Sequence, residues 1–378
     1  LRTRAETTAE MLAVFDDCAT LRHALAFESA LAQAQVAAQV IDEQSAAAII
    51  EACANLNPEI APLAEAAAHA GTLAIPLLQL LRTKLNPAAA GRLHWGATSQ
   101  DLADTVLMLQ MREARTLLAA QNARIVASLA RNARQFAALP AVGRTLLQDA
   151  RPVGFGLHLA QWAAGIRDAS SAFERAVDEH ARLQFGGPVG TRADMKGRGA
   201  LVARDLAHRL QLKSAFPWHA RRGGIAAMAS SIAIVIGALG KMARDISLLA
   251  QSRVGELLEP LIEGRGGSSA MPHKRNPTGC QVALSAAARA PGLVTTILAA
   301  LPAELERGLG GWQCEAPVLA DLCLLAAGSA HAMAVVAEGL EVMGPAISRN
   351  LSEAVIGEDI GESVQIVAGL LDTPEGQD

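Results

Sequence analysis

Tyrosine is absent from this 378-residue chain, and aromatic residues amount to only 3%. Alanine and leucine dominate instead, a composition that favours helix over strand. The five cysteines (Cys18, Cys53, Cys280, Cys314 and Cys323) are odd in number and show no C-x-x-C spacing. That argues against a disulfide framework or a zinc site and fits a reducing cytoplasm. There is no basic run, and the net charge of −4 leaves no footprint for nucleic acid. The N-terminus, Leu1-Arg2-Thr3-Arg4, lacks the apolar run of a signal peptide, and the missing Met points to a start inside the natural product. Gly223 to Gly240 runs for eighteen residues without a charge, so a membrane span has to be weighed. The apolar pattern continues through Lys241, Arg244 and Asp245, however, and a helix apolar all round suits the centre of a large bundle.

At this length the chain can bury a large core. Residues 1–91 read as short helices, Ala9 to Val40 being proline-free and Pro58, Pro62, Pro76 and Pro87 then breaking the chain repeatedly. Three long proline-free runs follow: Asp101 to Leu139, Val153 to Gly187 and Trp218 to Glu259. Within the last, Met228, Ile232, Val235, Leu239, Met242, Ile246 and Leu249 alternate steps of four and three, the seam of helices packed at a shallow angle. The reading is an all-α architecture: an N-terminal helical domain (1–91), a central bundle of long helices (92–343) and a short C-terminal region (344–378) ending in a disordered tail.

Chemistry concentrates in the stretch Gly264-Arg265-Gly266-Gly267-Ser268-Ser269-Ala270-Met271-Pro272-His273-Lys274-Arg275-Asn276-Pro277. Glycines and serines let the backbone approach a ligand, and Lys274 and Arg275 bring positive charge. Asn276-Pro277 reads as an N-cap with proline at the first helical position, so a helix N-terminus beside two cations is expected to hold a carboxylate. Two further segments stand out. His94-Trp95-Gly96-Ala97-Thr98-Ser99-Gln100-Asp101 opens the first long run with hydroxyls able to cap it. Gly143-Arg144-Thr145-Leu146-Leu147-Gln148-Asp149-Ala150-Arg151-Pro152 reads, unaided, only as a polar turn ending at proline.

Together these three segments resemble the signature regions of the fumarase/aspartase superfamily. The H-x-G-x-T-S-x-D form of the first is similar to the branch of adenylosuccinate lyases and carboxymuconate cycloisomerases. Leu25 to Ala32, Gln184 to Gly187, Pro217 to His219 and Glu306 to Trp312 look more like the cycloisomerases. The resemblance implies a homotetramer with a shared helix bundle and active sites assembled from three subunits. It also implies a small tricarboxylate substrate and no metal or organic cofactor. By residue-for-residue carry-over it makes Ser268 the proton-transfer residue, with Ser269 as its rival, and His94 a binding residue or proton donor. Thr98, Ser99, Gln100, Thr145, Gln148, Lys274 and Asn276 become substrate contacts.

The departures are informative. Where the amine-releasing lyases of the superfamily carry a histidine that protonates the leaving nitrogen, this chain has Leu146, which donates nothing. A carboxylate leaving group needs no such donor, so Leu146 favours lactone formation over amine elimination. Arg221-Arg222-Gly223 stands where the family pattern reads Gln-Arg-Asp, and Arg151 where a small residue is usual. Arg151 is either an extra cation for a tricarboxylate or a surface residue. Three rival expectations remain: a lyase acting on a succinyl adduct, a structural homologue without catalysis, and a related cycloisomerase acting on a substituted muconate.

Overall fold

The computed structural model describes residues 4–267, 270–271 and 274–372. Its N-terminal helices begin where a short polar side chain satisfies a backbone N–H that has no helical acceptor. Thr8 opens α1 (Ala9–Phe15), accepting from the Met11 amide at 3.2 Å, and Asp16 opens α2 (Asp17–Ala37), accepting from Ala19 at 2.7 Å. Asp42 does the same for α3 (Glu43–Asn55). Next come α4 (Ile60–Ala70), α5 (Ala74–Arg82) and the single turn α6 (Pro87–Ala90), capped by Asn86. The prolines expected to break this region instead start its helices. Pro62, Pro76 and Pro87 sit in the first turns of α4, α5 and α6, where a proline sacrifices no helical hydrogen bond.

The long helices follow. α7 (Ser99–Gln135) has 37 residues, about 55 Å at the usual rise. A hairpin of β1 (Pro140–Thr145) and β2 (Gln148–Gly154) leads into α8 (Phe155–His180), then the shorter α9 (Gly199–Arg209) and α10 (Gly223–Leu249). β3 (Leu257–Leu258) precedes α11 (Thr278–Ala299) and α12 (Gly311–Glu338), and pairs antiparallel with β4 (Glu341–Val342). α13 (Gly344–Ala354) and α14 (Ser363–Asp372) end the described chain, α13 lying against β1 and α14 against α8.

Five helices form the bundle. α7 packs on α8 and α12, while α10 packs on α8, α11 and α12. The α10 seam is buried as its spacing requires: Met228, Ile232, Val235, Leu239, Met242 and Ile246 are all fully enclosed. Close approach needs a missing side chain at Gly240, where a Cβ would lie 2.8 Å from that of Ala287 on α11. By length and composition, α10, α11 and α12 are long and apolar enough to cross a membrane, and here they pack against one another. The result is an all-α fold built on a bundle of long helices, with strands confined among the described residues to two two-stranded ribbons.

Candidate active site

The residues leading into α7 are gripped from several sides. His94 and Gly96 adopt left-handed backbone (φ 58° and 68°), and a Cβ on Gly96 would strike the Met195 side chain at 2.1 Å. Only glycine fits there. The Trp95 carbonyl accepts from Gln35 Nε2 at 2.7 Å, and the Trp95 indole donates to the Asp194 carbonyl at 3.3 Å. Asp101, fully buried in the first turn of α7, accepts from the backbone N–H of Thr98, Gly186 and Gly187 and meets His219 Nε2 at 2.8 Å.

This frame presents a charged corner. Arg307 Nη2 donates to Thr98 Oγ1 at 2.8 Å and to the Pro188 carbonyl at 3.2 Å. Because Thr98 accepts from the arginine, its own O–H remains a donor, beside Ser99 at the head of the helix. His94 Nδ1 lies 2.6 Å from Glu28 Oε1. Burial pulls the His94 imidazole down, but the charge and hydrogen bond of Glu28, helped by Asp101, outweigh it and raise the pKa against the opposing charge of Arg82. A guanidinium and a helix N-terminus thus meet at Thr98, with the His94–Glu28 pair four residues before it, an arrangement suited to a carboxylate.

Gln100 departs from the expectation of a substrate contact. It is fully buried, and Nε2 donates inward to Asp104 Oδ2 at 3.2 Å and to the His219 carbonyl at 3.1 Å. Asp104 is a hub beneath the segment, accepting also from Gln184, from Trp312 Nε1 at 3.0 Å and from two nitrogens of Arg222 at 2.9 Å. Arg222 simultaneously holds Glu315 on α12.

The second segment, which reads as a polar turn, is the β1–β2 hairpin. Leu146 and Leu147 form its tip with φ of 53° and 64°, a turn that ordinarily takes Asn-Gly, and both are exposed, 97% and 73%. Thr145 and Gln148 flank them as a cross-strand pair, exposed to solvent. Gln148 Nε2 donates to the Leu147 carbonyl at 3.2 Å. Beside the hairpin lies a cavity of about 660 Å³ lined by Thr145, Arg151, His158, Lys241 and Asp245, among others. His158 is held below its ordinary pKa, chiefly by burial, with Asp245 and Glu256 opposing.

In the third segment, Ser268 and Ser269 lie outside the described residues. α11 begins at Thr278, just past Asn276-Pro277, but its free N–H groups are already taken. The Glu259 carboxylate accepts from Gly279 and Cys280 at 3.0 and 2.8 Å. The helix terminus expected to hold a substrate carboxylate therefore holds one from the chain itself. Asn276 is likewise engaged, its side chain donating to the Gly267 carbonyl at 3.3 Å and its backbone N–H to Gly266 at 2.8 Å. Arg275 pairs with Glu341. The exposed Lys274 ammonium has no partner among the described residues and remains the cation this loop offers.

Among the described residues, the cavity beside Lys274 and the cavity beside Thr145 share no lining residue, and neither includes any of His94 to Gln100. Sequence reasoning missed Arg307, Glu28 and the Asp104 hub as parts of the first segment's surroundings. The signal for Arg307 was a charged pair, Glu306-Arg307, opening a glycine-rich stretch that looked like the superfamily. Glu28 lies within the Leu25 to Ala32 stretch that looks like the cycloisomerases, but nothing local ties it to its partner 66 residues away.

A lyase family model matches residues 3–292. The chain is 44% identical to a 3-carboxy-cis,cis-muconate cycloisomerase of Bradyrhizobium diazoefficiens, over 95% of this chain and 80% of that protein. It is 40% identical to one of Pseudomonas putida, over 96% and 86%. The solved structure of the 3-carboxy-cis,cis-muconate lactonizing enzyme from Pseudomonas putida superposes with a TM-score of 0.87 at 39% identity, covering 93% of this chain and 79% of that one.

Proposed function

The chain belongs to this lyase family of the fumarase/aspartase superfamily, and from that membership we propose that it is a cycloisomerase converting 3-carboxy-cis,cis-muconate to 4-carboxymuconolactone, a step in bacterial protocatechuate catabolism. One carboxylate of the triacid adds to the carbon bearing the 3-carboxyl group. The neighbouring carbon takes a proton and becomes a CH₂ beside its own carboxylate. The step is isomeric, so no atom is gained or lost, and it requires no metal or organic cofactor.

Charge is the obstacle: a trianion passes through an enediolate-like state with still more negative charge on one carboxylate. Thr98, Ser99, Arg307 and His94 supply donors and positive charge at the head of α7, and Lys274 supplies a cation from the loop after β3. Ser268 is the proposed proton-transfer residue, its alkoxide stabilised by Lys274 and backbone N–H groups; Ser269 is its rival. Thr145 and Gln148 contact substrate from the hairpin, and Asn276 acts by closing the loop on Gly266 and Gly267. Gln100 acts from beneath, holding the head of α7 to Asp104 and His219. The observation that carries this reading over an amine-releasing lyase is Leu146 at the hairpin tip, where a proton donor would be needed.

The protein is a cytoplasmic homotetramer in this reading, with each site assembled from segments of different subunits. Two features support it. The second and third segments line separate cavities, neither of which includes any of His94 to Gln100, and α11 buries only Gly279, Cys280, Ala283, Ala286, Ala290 and Ile297 of its largely apolar length. The deciding experiment mixes purified protein with 3-carboxy-cis,cis-muconate and follows the conjugated-diene absorbance, with no metal or cofactor added. Rapid loss of the band, abolished in Ser268→Ala, is the expected result. A persistent band would overturn the reading and turn attention to succinyl adducts.

A further inference from the structure

Glu28 lies on α2, outside all three signature segments, yet its side chain is fully buried and its Oε1 is 2.6 Å from His94 Nδ1. The other oxygen, Oε2, is buried without a hydrogen-bond partner among the described residues. A carboxylate so enclosed needs a counter-charge, because an unpaired buried charge costs several kcal/mol. His94 is the one cationic group within ion-pair distance of Glu28 among the described residues. The other groups facing this pair do not replace it. Arg82 acts on His94 only through space, Asp101 adds negative charge, and Cys53 on α3 stays a thiol, pushed up to about 12 by burial and by the charge of Glu28.

The rest of the segment is arranged to keep this pair in register. Gln35, seven residues after Glu28 and so on the same face of α2, holds the Trp95 carbonyl at 2.7 Å. α2 therefore grips the segment at two successive residues, His94 by its ring and Trp95 by its backbone. Left-handed backbone at His94 and Gly96 turns the chain between those grips and the Thr98 cap. With Nδ1 committed to Glu28, Nε2 is the ring's remaining donor. It has no partner among the described residues, and about a tenth of the side chain is open to solvent.

We propose that Glu28 is a positioning residue for the reaction: it holds His94 Nδ1 and fixes the ring so that Nε2–H donates to a substrate carboxylate at the head of α7. The inference rests on the function proposed above, and assigns His94 to carboxylate binding and charge stabilisation rather than to proton donation. A neutral imidazole at this position would leave Glu28 unbalanced in the interior and offer the trianion a far weaker partner. The raised pKa of His94, against the effect of its burial, agrees with the geometry.

The test compares wild type with Glu28→Gln across pH, using 3-carboxy-cis,cis-muconate as substrate. Glutamine keeps the shape but not the charge, so burial then leaves the His94 ring neutral at higher pH. The alkaline fall of kcat/KM in Glu28→Gln is expected to shift to lower pH than in wild type, mostly through KM, with the two profiles converging in acid. A profile parallel to wild type, whether lowered or not, would mean a merely structural contact and overturn the proposal. If Glu28→Gln does not fold, wild type labelled at histidine ¹³Cε1 still decides. A His94 ring that titrates above the ordinary imidazole value supports the proposal, and one that titrates at or below it overturns it. That titration needs no turnover, so failure of wild type to consume the triacid would strike the proposed function separately from the Glu28–His94 coupling.

Discussion

Arg307 donates to the hydroxyl of Thr98 at 2.8 Å across 209 residues of chain. The bond joins the loop before α12 to the cap of α7, and sets a guanidinium beside the N-terminus where a substrate carboxylate is proposed to bind. Removing a charged donor of this kind costs about 1.5–3 kcal/mol, or roughly tenfold to a hundredfold in kcat/KM. Arg307→Ala is expected to lose that much on the triacid while its unfolding temperature stays close to wild type. Steady-state kinetics and thermal unfolding on the same preparations check both halves. An unchanged kcat/KM would remove Arg307 from the site.

The Asp104 hub makes a stability prediction. Arg222 bridges Asp104 and Glu315, all three buried, and burial together with Asp104 keeps Glu315 above its ordinary pKa despite Arg222. Arg222→Met leaves two carboxylates facing each other in the interior and is expected to cost about 3–5 kcal/mol. Chemical denaturation of the variant measures it. A loss under about 1 kcal/mol would mean that water reaches the hub.

His158 gives a pH dependence with a definite sign. Burial holds its folded pKa below the unfolded value, so in the acid range the unfolded chain binds a proton that the folded chain does not. Stability from this residue is full above about pH 6.5 and is lost as the pH falls below it. His94 has the opposite sign: its raised folded pKa gives stability that is present in acid and declines as the pH rises through that value. Unfolding temperatures of wild type and His158→Asn between about pH 7 and pH 5 should differ in slope, the variant being flatter. Parallel curves would show that His158 titrates in the folded protein as it does in the unfolded chain.

The hairpin tip carries conformational strain. Leu146 and Leu147 both hold left-handed backbone, which costs a non-glycine residue about 1 kcal/mol or more. Leu147→Gly should therefore raise thermal stability, unless the exposed leucines are covered when subunits associate. Light scattering and thermal unfolding together separate the cases. A stabilised variant with an intact oligomer leaves strain as the sole effect, whereas a smaller particle assigns the leucines to an interface.

How much of this was legible beforehand follows from the range of each interaction. The helices, the seam on α10 and the cap at Thr98 depend on residues within a turn or two of one another, and the sequence displays such spacings directly, whereas Asn276, read as the cap of α11, donates to Gly267 instead. The signature segments are equally local, which is why their residue types pointed to carboxylate chemistry. The hairpin escaped notice because Leu146-Leu147 occupies a turn whose backbone favours Asn-Gly, and the flanking residues do not alternate in polarity. Tertiary packing alone decided that Gln100 turns inward to Asp104, that Glu259 fills the N-terminus of α11, and that Glu28 and Arg307 stand beside His94 and Thr98. Gln100, Asp104 and Glu28 are enclosed by the fold, and Glu259 and Arg307 are half-buried. Burial makes pairing obligatory for the enclosed groups, yet nothing in the one-dimensional chain says which distant group will be nearest.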